Sequence, residues 1–325
     1  MIEQPLVVVV TVNWNTAKET LQCVDSVLKS DYSNLSLLVV DNGSRAEELA
    51  LLRAGLPAGV KLLALDKNYG YVGGVNHGLE EARGMSPDYY LIMNNDAVLD
   101  PVAVEELVKA AARQENKCIV TGIVYDYFRP KLIQQVGSHY INKRKLIFKP
   151  YCSNREDPGF SGEDILMDMI DDVFWLLPKE VFEQVGFYCN HFWFNNEQAD
   201  YALRAVQKGF KLVFTPGAKL RHKGSISIGG KFANPVREYF DIKSKLILRY
   251  KHMRCQDFAV YFLGRIGYVV KLGVRCLVKK ALHRPSSGKV VLSKLLGMLG
   301  FTRWLYNQAP DDGSYPAILG KGQSG

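Results

Sequence analysis

The sequence predicts an α/β protein: a mostly parallel central sheet flanked by helices, followed by a helical C-terminal extension. Three observations predict it. Short apolar runs alternate with amphipathic stretches from the start of the chain to about residue 113, the pattern of repeated strand–helix units. Those runs are continuously apolar, as in strands buried on both faces. Charge also divides the 325 residues: 1–235 carry 25 Lys and Arg against 28 Asp and Glu, while 236–325 carry 16 against 5. The net +8 is thus a body of −3 and an extension of +11. A composition that is 47% hydrophobic and 23% charged excludes a disordered or low-complexity chain.

The elements follow in order. Residues 6–12, LVVVVTV, are a β-branched buried strand. Residues 16–30 read as a helix capped by Thr16, with Leu21, Val24 and Leu28 on one face. Strand 35–40 stops at Asp41-Asn42-Gly43-Ser44, and a helix spans about 45–54. Strand 61–65 ends in Asp66-Lys67-Asn68, and the glycine-rich turn 70–74 opens a helix at about 73–84. Strand 89–93 ends in Asn94-Asn95-Asp96, and a helix near 101–113 starts at Pro101, which suits a first turn. Such alternation implies right-handed crossovers and ligand binding beyond the carboxyl ends of the strands. Asn13, Asp41, Asn68 and Asp96 would converge at that edge.

Strand-like pieces such as 118–125 continue the pattern. The acidic stretch Glu163, Asp164, Asp168, Asp171 and Asp172 reads as a solvated loop or an acceptor-side face in preference to a metal box. A strand at 173–177, a helix at 178–185, a helix near 197–208 ended by Gly209 and a strand at 211–215 follow. Ala259, Leu263, Ile266, Val270, Val274 and Leu277 then form one apolar stripe over 258–280, with Arg265, Lys271, Arg275 and Lys279 opposite and Tyr261 and Tyr268 between. Two readings stay open for this helix: docking on the body, or lying on an anionic membrane surface, with the basic residues of 236–284 meeting headgroups. From Pro310 onward a flexible tail is expected.

Six scattered cysteines without a CxxC pair argue against a zinc site or disulfide framework and fit a reducing cytosol. Residues 1–5 show no basic region or cleavage site, so no signal peptide is expected, and no apolar run approaches the length of a membrane span. No nucleic-acid-reading module is visible.

Three groups of residues carry chemistry. Asp96, at a strand end, suits Mg²⁺ or Mn²⁺ held by few carboxylates plus substrate phosphates. His222 follows strand 211–215 within residues 201–235, which hold seven Lys and Arg and no acid, a setting suited to a diphosphate. In Phe194-Asn195-Asn196-Glu197-Gln198-Ala199-Asp200-Tyr201-Ala202-Leu203-Arg204, helical spacing places Glu197, Asp200 and Arg204 on one face. Glu197 would stand at the helix start, with Asp200 and Arg204 bracing the turn.

Read in order, VVTVNWN, LLVVDNGS, NYGYVGGVNHGL, LIMNNDAVLDP and GF…FWFNNEQADYALRAVQKGFKLVFTPGAKLRH resemble the family-2 glycosyltransferases of the GT-A fold, above all rhamnosyltransferase-like and galactofuranosyltransferase-like members. The resemblance covers about residues 6–255. It implies a catalytic domain at 1–235 that moves a sugar from a dTDP- or UDP-linked donor to a saccharide or lipid-linked acceptor, with inversion, in cell-surface polysaccharide synthesis. It implies nucleotide-sugar contacts from Val12, Asn13, Asp41, Gly73, Asn76, Asn94, Asn95 and Trp175. Asp96 and His222 would hold Mn²⁺ or Mg²⁺, and Trp193 and Phe194 the acceptor. Place of action would be the cytoplasm, peripheral to the inner membrane face.

One departure matters. The family's usual base is an acid at the position of Gln198, and an amide cannot accept a hydroxyl proton. Glu197 or Asp200 takes that role, Glu197 first, or the chain is an impaired nucleotide-sugar-binding homologue. A nucleotide-binding oxidoreductase is the remaining alternative, disfavoured because Asn13-Trp14-Asn15 stands where G-x-G-x-x-G would be.

Overall fold

The computed structural model describes residues 4–224, 234–282 and 288–319. Part of the basic segment 201–235, residues 283–284 of the basic extension and the tail beyond 319 lie outside them.

The first third of the chain forms β1 (Val7–Asn13), α1 (Ala17–Leu28), β2 (Leu35–Asp41), α2 (Ala46–Gly55), β3 (Lys61–Ala64), α3 (Gly70–Arg83), β4 (Tyr89–Asn94), β5 (Ala97–Leu99) and α4 (Ala103–Arg113). β1 pairs in parallel with β2 and β4, and β2 with β3, as the strand–helix alternation predicts. Val7 to Val10 are wholly buried because α3 covers one face of the sheet and α1 and α4 the other. α3 starts earlier than expected, at Gly70, so the glycines lie within the helix. Their lack of side chains lets α3 sit down on the sheet: a Cβ on Gly78 would lie 2.5 Å from Val10 Cγ1 and 2.9 Å from Val40 Cγ2.

The parallel expectation needs one correction. After β6 (Cys118–Asp126) the chain makes short strands β7 (Leu132–Gln135), β8 (Gly137–Asn142), β9 (Ile147–Tyr151), β10 (Arg155–Glu156) and β11 (Ile165–Met167) before β12 (Phe174–Pro178). β12 enters the sheet beside β4 and runs antiparallel to it and to β6. The connection into it is made of strands and turns with no crossover helix, so nothing returns the chain to the starting edge. α5 (Lys179–Val185), α6 (Glu197–Gln207) and β13 (Lys211–His222) follow. β13 pairs in parallel with β6 and, past a register shift between Phe214 and Lys219, antiparallel with β5.

Three helices complete the described chain: α7 (Pro235–His252), α8 (Cys255–Ala281) and α9 (Gly288–Asn307). α7 buries Ile242, Leu246, Ile247 and Leu248 in the core, packed against α9, α6 and α8. α8 behaves unlike either simple expectation. Phe258, Phe262 and Val269 face Phe301 of α9 and the core, while the predicted stripe of Ala259, Leu263, Ile266, Val270, Val274 and Leu277 is turned outward. Leu263 is 66% and Leu277 69% exposed. No helix among the described residues is long and apolar enough to cross a membrane.

The predicted flexible tail is also corrected through residue 319. Asp311 pairs with Lys243 at 2.8 Å, its N–H donates to the Asn190 carbonyl, and Leu319 is buried beside Tyr239 and Phe240. Glycine at 313 allows this return, because a Cβ there would lie 2.6 Å from the Trp193 ring.

Candidate active site

The strand-end polar residues do converge. Asn13 Nδ2 donates to Asp41 Oδ1 at 2.7 Å, and Thr20 Oγ1 donates to Asn13 Oδ1 at 2.7 Å. Asp41 Oδ2 accepts from the Ser44 N–H, which stiffens the loop after β2. Asn13 and Asp41 have no exposed surface. They tie β1 to β2 at the carboxyl end of the sheet. Asn95 is similarly turned inward, donating to Thr16 and Thr20 at the start of α1.

The turn between β4 and β5 places Asp96, and the pairing of β5 with β13 sets His222 opposite Ala97. His222 Nε2 lies 3.0 Å from Asp96 Oδ1 and 3.3 Å from Asn94 Nδ2. Gln134 on β7, which the sequence did not signal, fixes the ring. Its Nε2 donates to the His222 carbonyl at 2.8 Å, so its Oε1 must accept from His222 Nδ1 at 2.9 Å. His222 Nε2 thus faces the Asp96 carboxylate. Two electron-rich atoms at that distance suit a shared divalent cation, and an oxygen–nitrogen donor pair fits Mn²⁺ or Mg²⁺. Among the described residues no third His, Cys, Asp or Glu joins them, so remaining positions would fall to water and donor phosphates.

A second cluster lies across Tyr71. Its hydroxyl is 3.5 Å from Asn94 Oδ1 and 3.3 Å from Asp172 Oδ2. Tyr188 OH is 3.4 Å from the same carboxylate. Asn76 holds Tyr188 in place by bonding both its N–H and its carbonyl at 2.9 Å. That occupies the Asn76 amide and corrects its expected contact with the nucleotide-sugar. Gly73 packs against Tyr69, and Val12 is partly buried behind Gly74, so both shape the wall.

Glu197 enters from the first residue of α6. Two successive left-handed residues, Asn195 (φ 66°) and Asn196 (φ 67°), aim it, a strain typical of functional positions. It is only 5% exposed, and its Oε2 has no partner. Burial, then the charge of Asp172, hold its carboxyl well above the ordinary value. Burial and the adjacent Asp171 likewise raise Asp172 to about 7. Asp171 and Asp172 are half-buried, which leaves the acceptor-side face of the two readings expected for this stretch. Adjacent carboxylates directly ahead of a buried strand were the signal that could have found them.

Three more assignments change. Asp200 is fully buried and accepts from Arg204 Nε and His252 Nε2, each at 2.8 Å, with Lys251 Nζ at 3.4 Å. Burial opposes its charge, but His252, Arg204 and Lys251 override that and lower it to about 2. Held by these three side chains, Asp200 braces α6. Trp175 is a core residue packed on Tyr188 and Tyr201, its indole N–H donating to the Asp171 carbonyl. It supports the acids from below instead of touching a sugar. Trp193 packs on Gly70 and Gly313, and Phe194 on Phe240, so both hold the pocket wall to α3 and α7.

Comparison with known proteins bears on the family and the fold. An uncharacterized glycosyltransferase of Rickettsia prowazekii is 25% identical over 195 residues, 58% of this chain and 54% of that protein. The glycosyltransferase GlyG of Streptococcus pneumoniae is 27% identical over 187 residues, 56% of this chain and 60% of GlyG. The O-antigen biosynthesis protein RfbC of Myxococcus xanthus is 26% identical over 63% of this chain and 16% of its own length. The chain thus spans about half the length of the first two relatives. The crystal structure of GalNAc-T7 with UDP, GalNAc and Mn²⁺ superposes with a TM-score of 0.56 at 16% identity, over 68% of this chain and 44% of that one, a likeness of GT-A fold. The family model for glycosyl transferase family 2 matches residues 7–186, more than half of the chain, and the chain belongs to that family.

Proposed function

We propose that this glycosyltransferase moves a hexosyl or deoxyhexosyl unit, rhamnosyl or galactofuranosyl among the candidates, from a UDP- or dTDP-linked donor to a saccharide or lipid-linked saccharide. The product would belong to a cell-surface polysaccharide, a reading supported by the name of the RfbC relative. The observation that carries it is the pairing of two sites across Tyr71: the Asp96–His222 donor pair on one side and the carboxyls of half-buried Asp172 and buried Glu197 on the other. Inverting transfer needs that division, with charge neutralised at the departing diphosphate and a proton removed from the incoming hydroxyl.

Asp96 and His222 would hold Mn²⁺ or Mg²⁺, with Gln134 keeping His222 Nε2 free to ligate. When bound, the cation supplies positive charge for the diphosphate. Asn94 positions His222, and Tyr71 links the two sites. Glu197 and Asp172 are the acid–base pair, in place of the amide at 198. The deciding experiment measures nucleotide release from a panel of UDP-, dTDP- and GDP-sugars with Mn²⁺ and with EDTA. Release from a UDP- or dTDP-sugar that stops in EDTA is expected; full turnover without metal removes the cation, and none with any donor removes the transferase reading.

The outward stripe of α8 is the feature from which we infer action at a membrane surface. Leu263, Ile266, Val270, Val274 and Leu277 are exposed, and so are Tyr268, Lys271, Arg275, Lys279 and Lys280 of the same helix. Exposed apolar surface sharing a helix with cations and an interfacial tyrosine fits an anionic lipid surface, where a lipid-linked acceptor would lie. Flotation with anionic vesicles tests this. Leu263→Glu together with Val270→Glu should abolish binding, and a parent that stays with the soluble fraction refutes it.

A further inference from the structure

We propose that Asp172 is the base that takes the acceptor's proton, with Glu197 beside it as the neutral carboxyl, so that the acid missing at 198 is supplied from the β11–β12 connection. This rests on the transferase reading above and specifies its proton path.

Placement comes first. Asp172 Oδ2 is within reach of both the Tyr71 and the Tyr188 hydroxyls, and Tyr71 leads through Asn94 to His222. Asp172 is therefore one phenol removed from the donor side, where an acceptor oxygen must arrive. Gln198 remains part of the same cluster, bonded to Asp171. The first turn of α6 also presents two buried oxygens without partners, Glu197 Oε2 and Gln198 Oε1. Buried polar atoms normally have partners, and a polyhydroxylated ligand would bring them.

The two carboxyls differ in what holds a charge on them. The Asp172 anion receives the two phenol hydroxyls and a backbone N–H, whereas Glu197 has only its own backbone N–H. When the pair holds one proton, that proton belongs on Glu197 and the charge on Asp172. The groups facing Asp172 are Tyr71 from α3, Tyr188 from the α5–α6 connection, Glu197 from α6 and the neighbouring Asp171; no cation is among those acting on it. Its value of about 7 suits a base working near neutral pH. In the step itself the acceptor O–H proton passes to Asp172. The oxygen's electron pair forms the bond to the anomeric carbon, and the bond to the diphosphate breaks with its pair leaving on the nucleoside diphosphate. Asp172 then returns the proton to water.

The test compares Asp172→Asn and Glu197→Gln by donor turnover against pH, UDP binding by calorimetry, and carboxyl ¹³C NMR of the parent. Asp172→Asn should lose on the order of 100-fold or more in turnover at every pH, with UDP affinity kept. Glu197→Gln should lose turnover as well but keep an acid limb near pH 7, because the base that titrates there is still present, whereas Asp172→Asn should lose that limb. In the parent the Asp172 carboxyl should titrate near 7 while Glu197 stays protonated. The reverse pattern, with Glu197→Gln inactive, Asp172→Asn active and Glu197 ionising first, overturns the proposal. The parent NMR titration needs neither a variant nor a donor, so it decides the charge assignment even if Asp172→Asn misfolds. A parent that turns over no donor would refute the transferase reading separately.

Discussion

Asp200→Asn separates a structural carboxylate from a catalytic one. In the folded chain Asp200 sits at about 2, against a reference of 3.8, because His252, Arg204 and Lys251 surround it. That depression is worth about 2 kcal/mol, available in full because the side chain is wholly buried. The sign follows from the lowered value: the unfolded chain binds the proton more readily, so the stabilisation is complete above about pH 5, about half gone near pH 3 and lost below about 2. Urea unfolding of parent and variant should therefore show a stability difference of roughly 2–4 kcal/mol at pH 7, part of it the cost of leaving Arg204 without its carboxylate. The difference should shrink by about 1 kcal/mol on going to pH 3. Variant turnover per folded molecule should stay within a few-fold of the parent. A difference that is flat with pH, or a folded variant without turnover, would refute the structural assignment.

Two further outcomes follow from single contacts. Gln134→Ala removes the acceptor that fixes the His222 ring, so Mn²⁺ affinity measured by calorimetry in the presence of UDP should fall about 10–100-fold without loss of fold; unchanged affinity would remove His222 from the ligand set or Gln134 from its support. Gly78→Ala forces a methyl against Val10 and Val40 and should cost about 1–3 kcal/mol in urea unfolding; a neutral substitution would mean that α3 does not press on the sheet as closely as described.

The parallel half of the sheet was legible because both-face burial leaves long apolar runs that end in polar turns, as at Val40-Asp41 and Met93-Asn94. Strand direction was not, since VFWLL reads alike either way and only the path of the preceding short strands turns β12 around. The candidate metal pair was legible as two separate residues; their contact depends on β13 crossing a register shift to reach β5, which no local pattern encodes. Glu197 was found from helical spacing, while Asp172 was hidden in an acid-rich stretch whose members run from exposed Glu163 to half-buried Asp164, Asp168 and Asp171. The stripe on α8 shows the limit of periodicity. It identifies a face, yet Phe258, Phe262 and Val269 form a second face on the same helix, and aromatic packing against Phe301 decides which one turns inward.

The contact of Gly313 with Trp193 carries a consequence for how the molecule is made. Trp193 lies just before α6, yet residues that pack on it are synthesised about 120 positions later, after α7, α8 and α9. On the ribosome, the sheet and the Asp96–His222 pair can assemble while that aromatic ring still lacks part of its cover. The wall beside the buried acids closes only once Asp311 reaches Lys243. A nascent chain would pass through a stage with its donor half formed and its acceptor half open. Competence would then arrive late in synthesis, with the helices that expose the apolar stripe of α8 already in place.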